Sequence, residues 1–70
     1  MITIIIPAYN EKNRIKYAAE TTIRALINIT TDYELIIVED GSNDGTYEIS
    51  ANLEEKTPNI RLLHSDIRCG

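Results

Sequence analysis

The sequence predicts an α/β protein built on a parallel sheet, in the order strand, helix, strand, helix, strand. Three observations carry that expectation. Two stretches, "ITIIIPA" at 2–8 and "LIIV" at 35–38, are rich in β-branched residues and almost continuously apolar, as parallel strands buried on both faces are. After each of them, apolar residues recur at three- and four-residue steps, the period of a helix with one buried face. A third apolar run, "IRLLH" at 60–64, follows the second helix. Strands alternating with helices imply right-handed crossovers in one parallel sheet.

Taken in order, the first strand is expected to end at Pro7, which cannot donate to a ladder. In the first helix, Ile15, Ala18 or Ala19, Thr22, Ile23 and Leu26 form the apolar side, and Lys12, Arg14, Lys16, Glu20 and Arg24 fall elsewhere. Asn10 is its expected N-cap, with Glu11 in the first turn, where the helix dipole favours an acid. The turn "TTDYE" leads to the second strand, expected to be central. "EDGSNDGT" then supplies turn chemistry, and Thr46, Ile49, Ser50 and Leu53 line one side of a shorter helix closed by "TPN". If the strands progress in one direction, both helices share a face. The opposite face, carrying one side of Ile4, Ile6, Ile36 and Val38 or of their alternate neighbours, is left bare. Half of a larger domain, or self-association through that face, is the expected consequence.

Seventy residues, 43% hydrophobic and 26% charged, describe a folding chain and not a disordered one. One domain at most is expected, and a chain this short buries only about 60% of its unfolded surface. The single cysteine, Cys69, excludes an internal disulfide, and His64 is the only histidine available to a zinc cluster. A reducing cytoplasm is the expected location. "IIIPA" is too short to span a membrane, and Met1 lacks the basic flank of a signal peptide. Seven basic residues against eleven acidic ones, a net charge of −4, give no footprint for a nucleic-acid backbone. Neither G-x-G-x-x-G after the first strand nor G-x-x-x-x-G-K-[ST] occurs, against a dinucleotide or P-loop site.

Ligands of open α/β sheets bind beyond the carboxyl ends of the strands, so "PAYNE", "EDGSNDG" and "HSDIRCG" should gather on one edge. Asp40, just past a central strand, can accept a hydrogen bond from the N3–H of uracil or the N1–H of guanine; cytosine presents an acceptor there. Gly41 and Gly45 permit positive φ, and Ser42, Asn43 and Asp44 can tie the loop through side-chain to backbone bonds. The same loop also reads as a helix start with Asp44 as N-cap and Glu39 solvated. Glu39 is the weaker ligand contact of the two acids, either orienting or merely exposed. Tyr9 can stack on a base or sit half-buried with a wet hydroxyl. Glu11 can bond ribose hydroxyls or simply complement the helix dipole. His64 is expected as a structural hydrogen-bonder, with Asp66 as an alternative acid/base or metal partner. Arg68 is expected near the ligand edge, where it can meet a diphosphate or simply be exposed, and Cys69 has no assigned role.

"IIIPAYNE", followed some thirty residues later by "IIVEDGSNDGT", resembles the N-terminal half of the family 2 inverting glycosyltransferases, particularly the dolichyl-phosphate mannose synthase-like branch. The resemblance implies the parallel β-α-β-α-β half of a GT-A, Rossmann-like, nucleotide-diphospho-sugar transferase domain. Residues 1–70 are then the N-terminal part of one such domain. By that resemblance Pro7, Ala8, Tyr9 and Glu11 match the first nucleotide-contacting segment, and Val38 and Asp40 the segment that contacts the base. Glu39 stands where the family more often has an aspartate. The metal-binding D-x-D motif and the catalytic base would lie beyond residue 70, so no catalytic or metal-ligating residue is expected within the chain. Mg²⁺ or Mn²⁺ is the implied cofactor, a UDP- or GDP-linked sugar the donor, and a lipid phosphate or polysaccharide the acceptor. The complete protein would work in the cytoplasm or at the inner face of a membrane. Two other readings stay open: a regulatory module in which Glu39, Asp40 and Asp66 hold Mg²⁺, and an inactive self-associating fragment.

Overall fold

A computed structural model of the chain describes residues 1–41 and 43–65. Its elements are β1 (Ile2–Ala8), α1 (Ile15–Leu26), β2 (Tyr33–Asp40), α2 (Thr46–Lys56) and β3 (Ile60–Ser65). The three strands form one parallel sheet in the order β1-β2-β3, with β2 central. The helices contact each other and the strands, so both cover the same face, as the order of elements predicts.

Burial alternates along the strands although the residue types do not. Leu35, Ile37 and Glu39 of β2 are buried while Ile36, Val38 and Asp40 are only half-buried. In β1, Thr3, Ile5 and Pro7 are exposed between half-buried Ile4 and Ile6 and buried Ala8. The register sets Ile4 beside Leu35 and Leu35 beside Ile60, with Ile6, Ile37 and Leu62 in the next row. These rows meet Ile15, Ala19 and Ile23 of α1 and Ile49 and Leu53 of α2 in the core. Each fully buried Leu or Ile there contributes about 1.5–3 kcal/mol. Ile5, Ile36 and Arg61, and then Pro7, Val38 and Leu63, form rows on the face without helices. The expected grouping of Ile4 and Ile6 with Ile36 and Val38 is therefore corrected: the parallel register puts the two pairs on opposite faces.

Three boundaries also differ from expectation. Pro7 does not end β1, which continues to Ala8. Ile2 donates its N–H to the Asp32 carbonyl (3.0 Å), and strand alternation then turns the Pro7 nitrogen to the open edge, where a missing N–H costs no ladder bond. Strand β2 extends two residues beyond "LIIV" at each end, so Glu39 and Asp40 belong to it. Helix α1 starts at Ile15 with Arg14 at the cap and no side-chain capping bond, so Asn10 is not its N-cap and Glu11 is not in its first turn. Residues 11–14 instead form a separate turn in which the Glu11 carbonyl accepts from Arg14 (2.9 Å) and Ile15 (2.8 Å).

The periodic residues behave as their spacing predicts. Ile15, Ala19 and Leu26 are buried on α1, and Thr46, Ser50 and Leu53 on α2. Helix α2 ends where Thr57 turns extended at φ −126°, just before Pro58. Among the described residues no helix is long and apolar enough to cross a membrane.

Candidate functional site

The carboxyl ends of β1 and β2 hold the loops 9–14 and 41–45 side by side. At the ends of these two strands lies a cavity of about 350 Å³ lined by Pro7, Ala8, Tyr9, Glu11, Val38 and Asp40. These are the six residues singled out from the two sequence motifs. Two further concavities have nearly the same volume, about 360 Å³ at the amino-terminal edge of the sheet around Asp32, Tyr33 and Asn59, and about 370 Å³ between α1 and α2 around Lys16, Glu48 and Asn52. Volume does not separate the three. Chemistry and position do, because only the first lies past the carboxyl ends of parallel strands, the ligand edge of such sheets, and combines a strand-end acid with an aromatic ring.

Pro7 and Val38 pair across β1 and β2, and Asp40 follows Val38 on the same, helix-free side of the sheet by strand alternation. Tyr9 is 39% exposed, enough for one ring face to meet a planar ligand. The Glu11 carboxylate sits 3.9 Å from the Arg14 guanidinium.

The two loops are joined by polar links. Asn43 donates its N–H to Asn10 Oδ1 (3.1 Å), and Lys12 donates its N–H to Asp44 Oδ2 (3.3 Å). Between these, the Glu11 N–H reaches Thr46 Oγ1 at 2.8 Å. The Thr46 hydroxyl in turn donates a short bond to Asp44 Oδ1, which also accepts the Thr46 N–H (3.1 Å). The Thr46 hydroxyl, with help from the Thr46 and Lys12 N–H groups, holds the Asp44 carboxyl below its ordinary value despite an opposing desolvation effect. The backbone is left-handed at Asn10 (φ 53°), Gly41 (φ 68°) and Gly45 (φ 98°). At Gly45 the dihedral alone demands glycine, since a Cβ there would make only ordinary contact, 3.6 Å from Lys12 Cδ. The N-cap of α2 is Gly45, not Asp44, and Asp44 acts from one residue further out. The sequence reading assigned Thr46 only to the buried side of the helix and missed its cross-loop role. An aspartate two residues before a threonine at a helix start is the local signal for half of that arrangement.

Glu39 is neither solvated nor exposed. It is fully buried, and its Oε1 is hydrogen-bonded to His64 Nδ1, which satisfies a carboxylate that would otherwise be costly to desolvate. The Tyr47 ring lies 4.2 Å from that of His64, tilted by 45°. His64 thus serves as a structural hydrogen-bonder. Glu39 and Asp40, adjacent in a strand, leave opposite faces of the sheet, so they cannot share an Mg²⁺ pocket. Among the described residues no three His, Cys, Asp or Glu side chains gather to hold a metal ion, so these residues do not fit a divalent-cation site. Ser42, Asp66, Arg68 and Cys69 lie outside the described residues.

Residues 3–70 match the family model described as Glycosyl transferase family 2. The chain is 41% identical to a dolichyl-phosphate beta-glucosyltransferase of Trichomonas vaginalis, over 97% of this chain and 22% of that protein. It is 35% identical to glycosyltransferase AglD of Haloferax volcanii, over 99% of this chain and 11% of the relative. A third relative, the undecaprenyl-phosphate 4-deoxy-4-formamido-L-arabinose transferase of Photorhabdus laumondii, is 38% identical over 83% of this chain and 18% of its own length. The chain thus spans less than a quarter of each of these relatives.

Proposed function

The chain belongs to glycosyl transferase family 2, and from that premise we propose that its strand-end cavity binds the nucleotide of a UDP- or GDP-linked sugar. The supporting observation is that Pro7, Ala8, Tyr9, Glu11, Val38 and Asp40, from two motifs distant in sequence, line one cavity at the ligand edge of the sheet. Asp40 accepts the imide N–H of the base, which selects uracil or guanine over cytosine. Tyr9 stacks on the base, Pro7, Ala8 and Val38 supply the apolar wall, and Glu11 bonds the ribose hydroxyls.

The whole protein's reaction is part of the same proposal. An oxygen of the acceptor attacks the anomeric carbon of the donor sugar, the bond from that carbon to the diphosphate breaks, and the nucleoside diphosphate departs. Two relatives are named for a polyprenyl phosphate, and we take a lipid phosphate as acceptor, as in the dolichyl-phosphate mannose synthase-like branch. Such an acceptor would put the reaction at a membrane surface, which we take to be the cytoplasmic face. Mg²⁺ or Mn²⁺, when bound, would supply charge to offset that of the departing diphosphate, and its ligands would lie outside the described residues. No described residue is assigned a catalytic role.

An amide NMR titration of the chain with UDP, GDP and CDP tests the nucleotide site. Shifts at Tyr9, Glu11, Asp40 and Gly41 are expected with the uridine or guanosine nucleotide and not with the cytidine one. A folded chain whose amides respond to none of the three would overturn the assignment. In the complete protein, Asp40→Ala is expected to cost about 1–3 kcal/mol of nucleotide binding, the scale of a hydrogen bond to a charged group; unchanged affinity by calorimetry would remove Asp40 from the site.

A further inference from the structure

We propose that Thr46 and Asp44 are positioning residues for the nucleotide cavity, acting together as a clasp that fixes the Tyr9–Glu11 segment at a set distance from the loop after β2. The assignment rests on the nucleotide reading of the cavity. Neither residue lines that cavity, so neither is expected to touch the ligand.

The cavity has one wall from the loop after β1, Tyr9 and Glu11, and another from the end of β2, Val38 and Asp40, the strand that runs directly into the 43–46 segment's loop. Something must hold the walls apart by a defined gap, and apolar packing does not, because Tyr9, Asn10 and Lys12 are exposed. Hydrogen bonds do it instead. Three consecutive residues, Asn10, Glu11 and Lys12, are each bonded to the 43–46 segment. The central bond is the part-buried one of the set, between half-buried Glu11 and fully buried Thr46, while the other two are exposed. Glu11 has no spare backbone group: its carbonyl receives the turn that leads into α1, and its N–H is taken by Thr46.

The direction of the relay follows from its chemistry. An ionised carboxylate only accepts, so the single Thr46 hydroxyl proton goes to Asp44 Oδ1 and an oxygen lone pair is left facing the Glu11 N–H. The Asp44 charge thereby sets the polarity of a contact at Glu11, two residues away in space. The second carboxylate oxygen takes the Lys12 N–H. Three donors share two oxygens, an arrangement an amide side chain with one oxygen cannot reproduce. The structural reading of the same groups is a helix-start turn alone, for which Asp44 and the Thr46 N–H suffice; the bonds to Glu11 and Lys12 cross 35 and 32 residues of chain and are superfluous to it.

The test compares Thr46→Val, which keeps shape and loses the hydroxyl, with Thr46→Ser, which keeps the hydroxyl, and with Asp44→Asn. Amide hydrogen exchange without ligand and affinity for UDP and GDP are measured for each. Thr46→Val is expected to speed Glu11 exchange about tenfold and to weaken nucleotide binding about tenfold, with exchange at Leu35 and Ile37 unchanged; Thr46→Ser restores both. Asp44→Asn should speed exchange at Lys12. Unaltered Glu11 protection in Thr46→Val, or failure of Thr46→Ser to restore it, overturns the clasp. Should Thr46→Val unfold the chain, Asp44→Asn decides the matter at the Lys12 amide. If the unsubstituted chain binds neither nucleotide, the nucleotide reading falls while the Glu11 and Lys12 exchange rates still decide whether the clasp holds the loops.

Discussion

Asp44 keeps its charge because donors from two segments converge on it: the Thr46 hydroxyl first, then the N–H groups of Thr46 and Lys12. Its carboxyl is thereby held below the ordinary value of 3.8. A group whose folded-state pKa is depressed favours the fold only while ionised. Its contribution is present above the unfolded value and is lost as pH falls through the folded one. The loops should therefore loosen in acid before the core does. In an NMR pH titration the Lys12 and Thr46 amides are expected to move together with a midpoint below 3.8, and Asp44→Asn should abolish that transition. A shared midpoint above 3.8 would contradict the bonding pattern.

Helix α2 carries a polar group with no evident use. Ser50 is fully buried, and among the described residues its hydroxyl has no hydrogen-bond partner. An unsatisfied buried hydroxyl is destabilising, and alanine is the better helix former. Ser50→Ala should raise stability by about 1 kcal/mol, read as a higher urea midpoint; a lower midpoint would mean the hydroxyl is satisfied. The existence and order of all five elements were legible in the sequence, because β-branched runs and three- to four-residue spacings are local properties. So was the gathering of Pro7, Tyr9, Glu11 and Asp40 at one edge, since strand polarity alone implies it. The start of α1 was not, because Asn10 resembles a cap until its carboxamide is seen to reach Asn43, 33 residues away. Nor was the burial of Glu39, which depends on His64 in the neighbouring strand. Nor was the assignment of individual strand residues to the covered and bare faces, since a run such as "LIIV" has no alternation from which to read it.

At the scale of the molecule the sheet is two-sided. One side carries both helices and the core. The other carries the rows of Ile5 and Leu63, 61% and 46% exposed, and at its upper end Pro7, Val38 and Asp40 of the cavity. The central place of β2 has a kinetic consequence. Ile2 pairs with Tyr33 and Leu35 with Ile60, separations of 31 and 25 residues, so no ladder forms without first closing a long loop. Whichever ladder closes first, β2 is in it, whereas β1 and β3 each belong to one. The shorter separation favours the β2–β3 ladder, so side chains of β2 should be packed in the folding transition state when those of β1 are not. In stopped-flow experiments Ile37→Val is expected chiefly to slow refolding and Ile4→Val chiefly to speed unfolding; the reverse pattern would place the nucleus at the β1 edge. The strand that ends in Asp40 is then also the strand on which the chain first commits to its fold, so substitutions that weaken it reduce the yield of folded protein before they reach its chemistry.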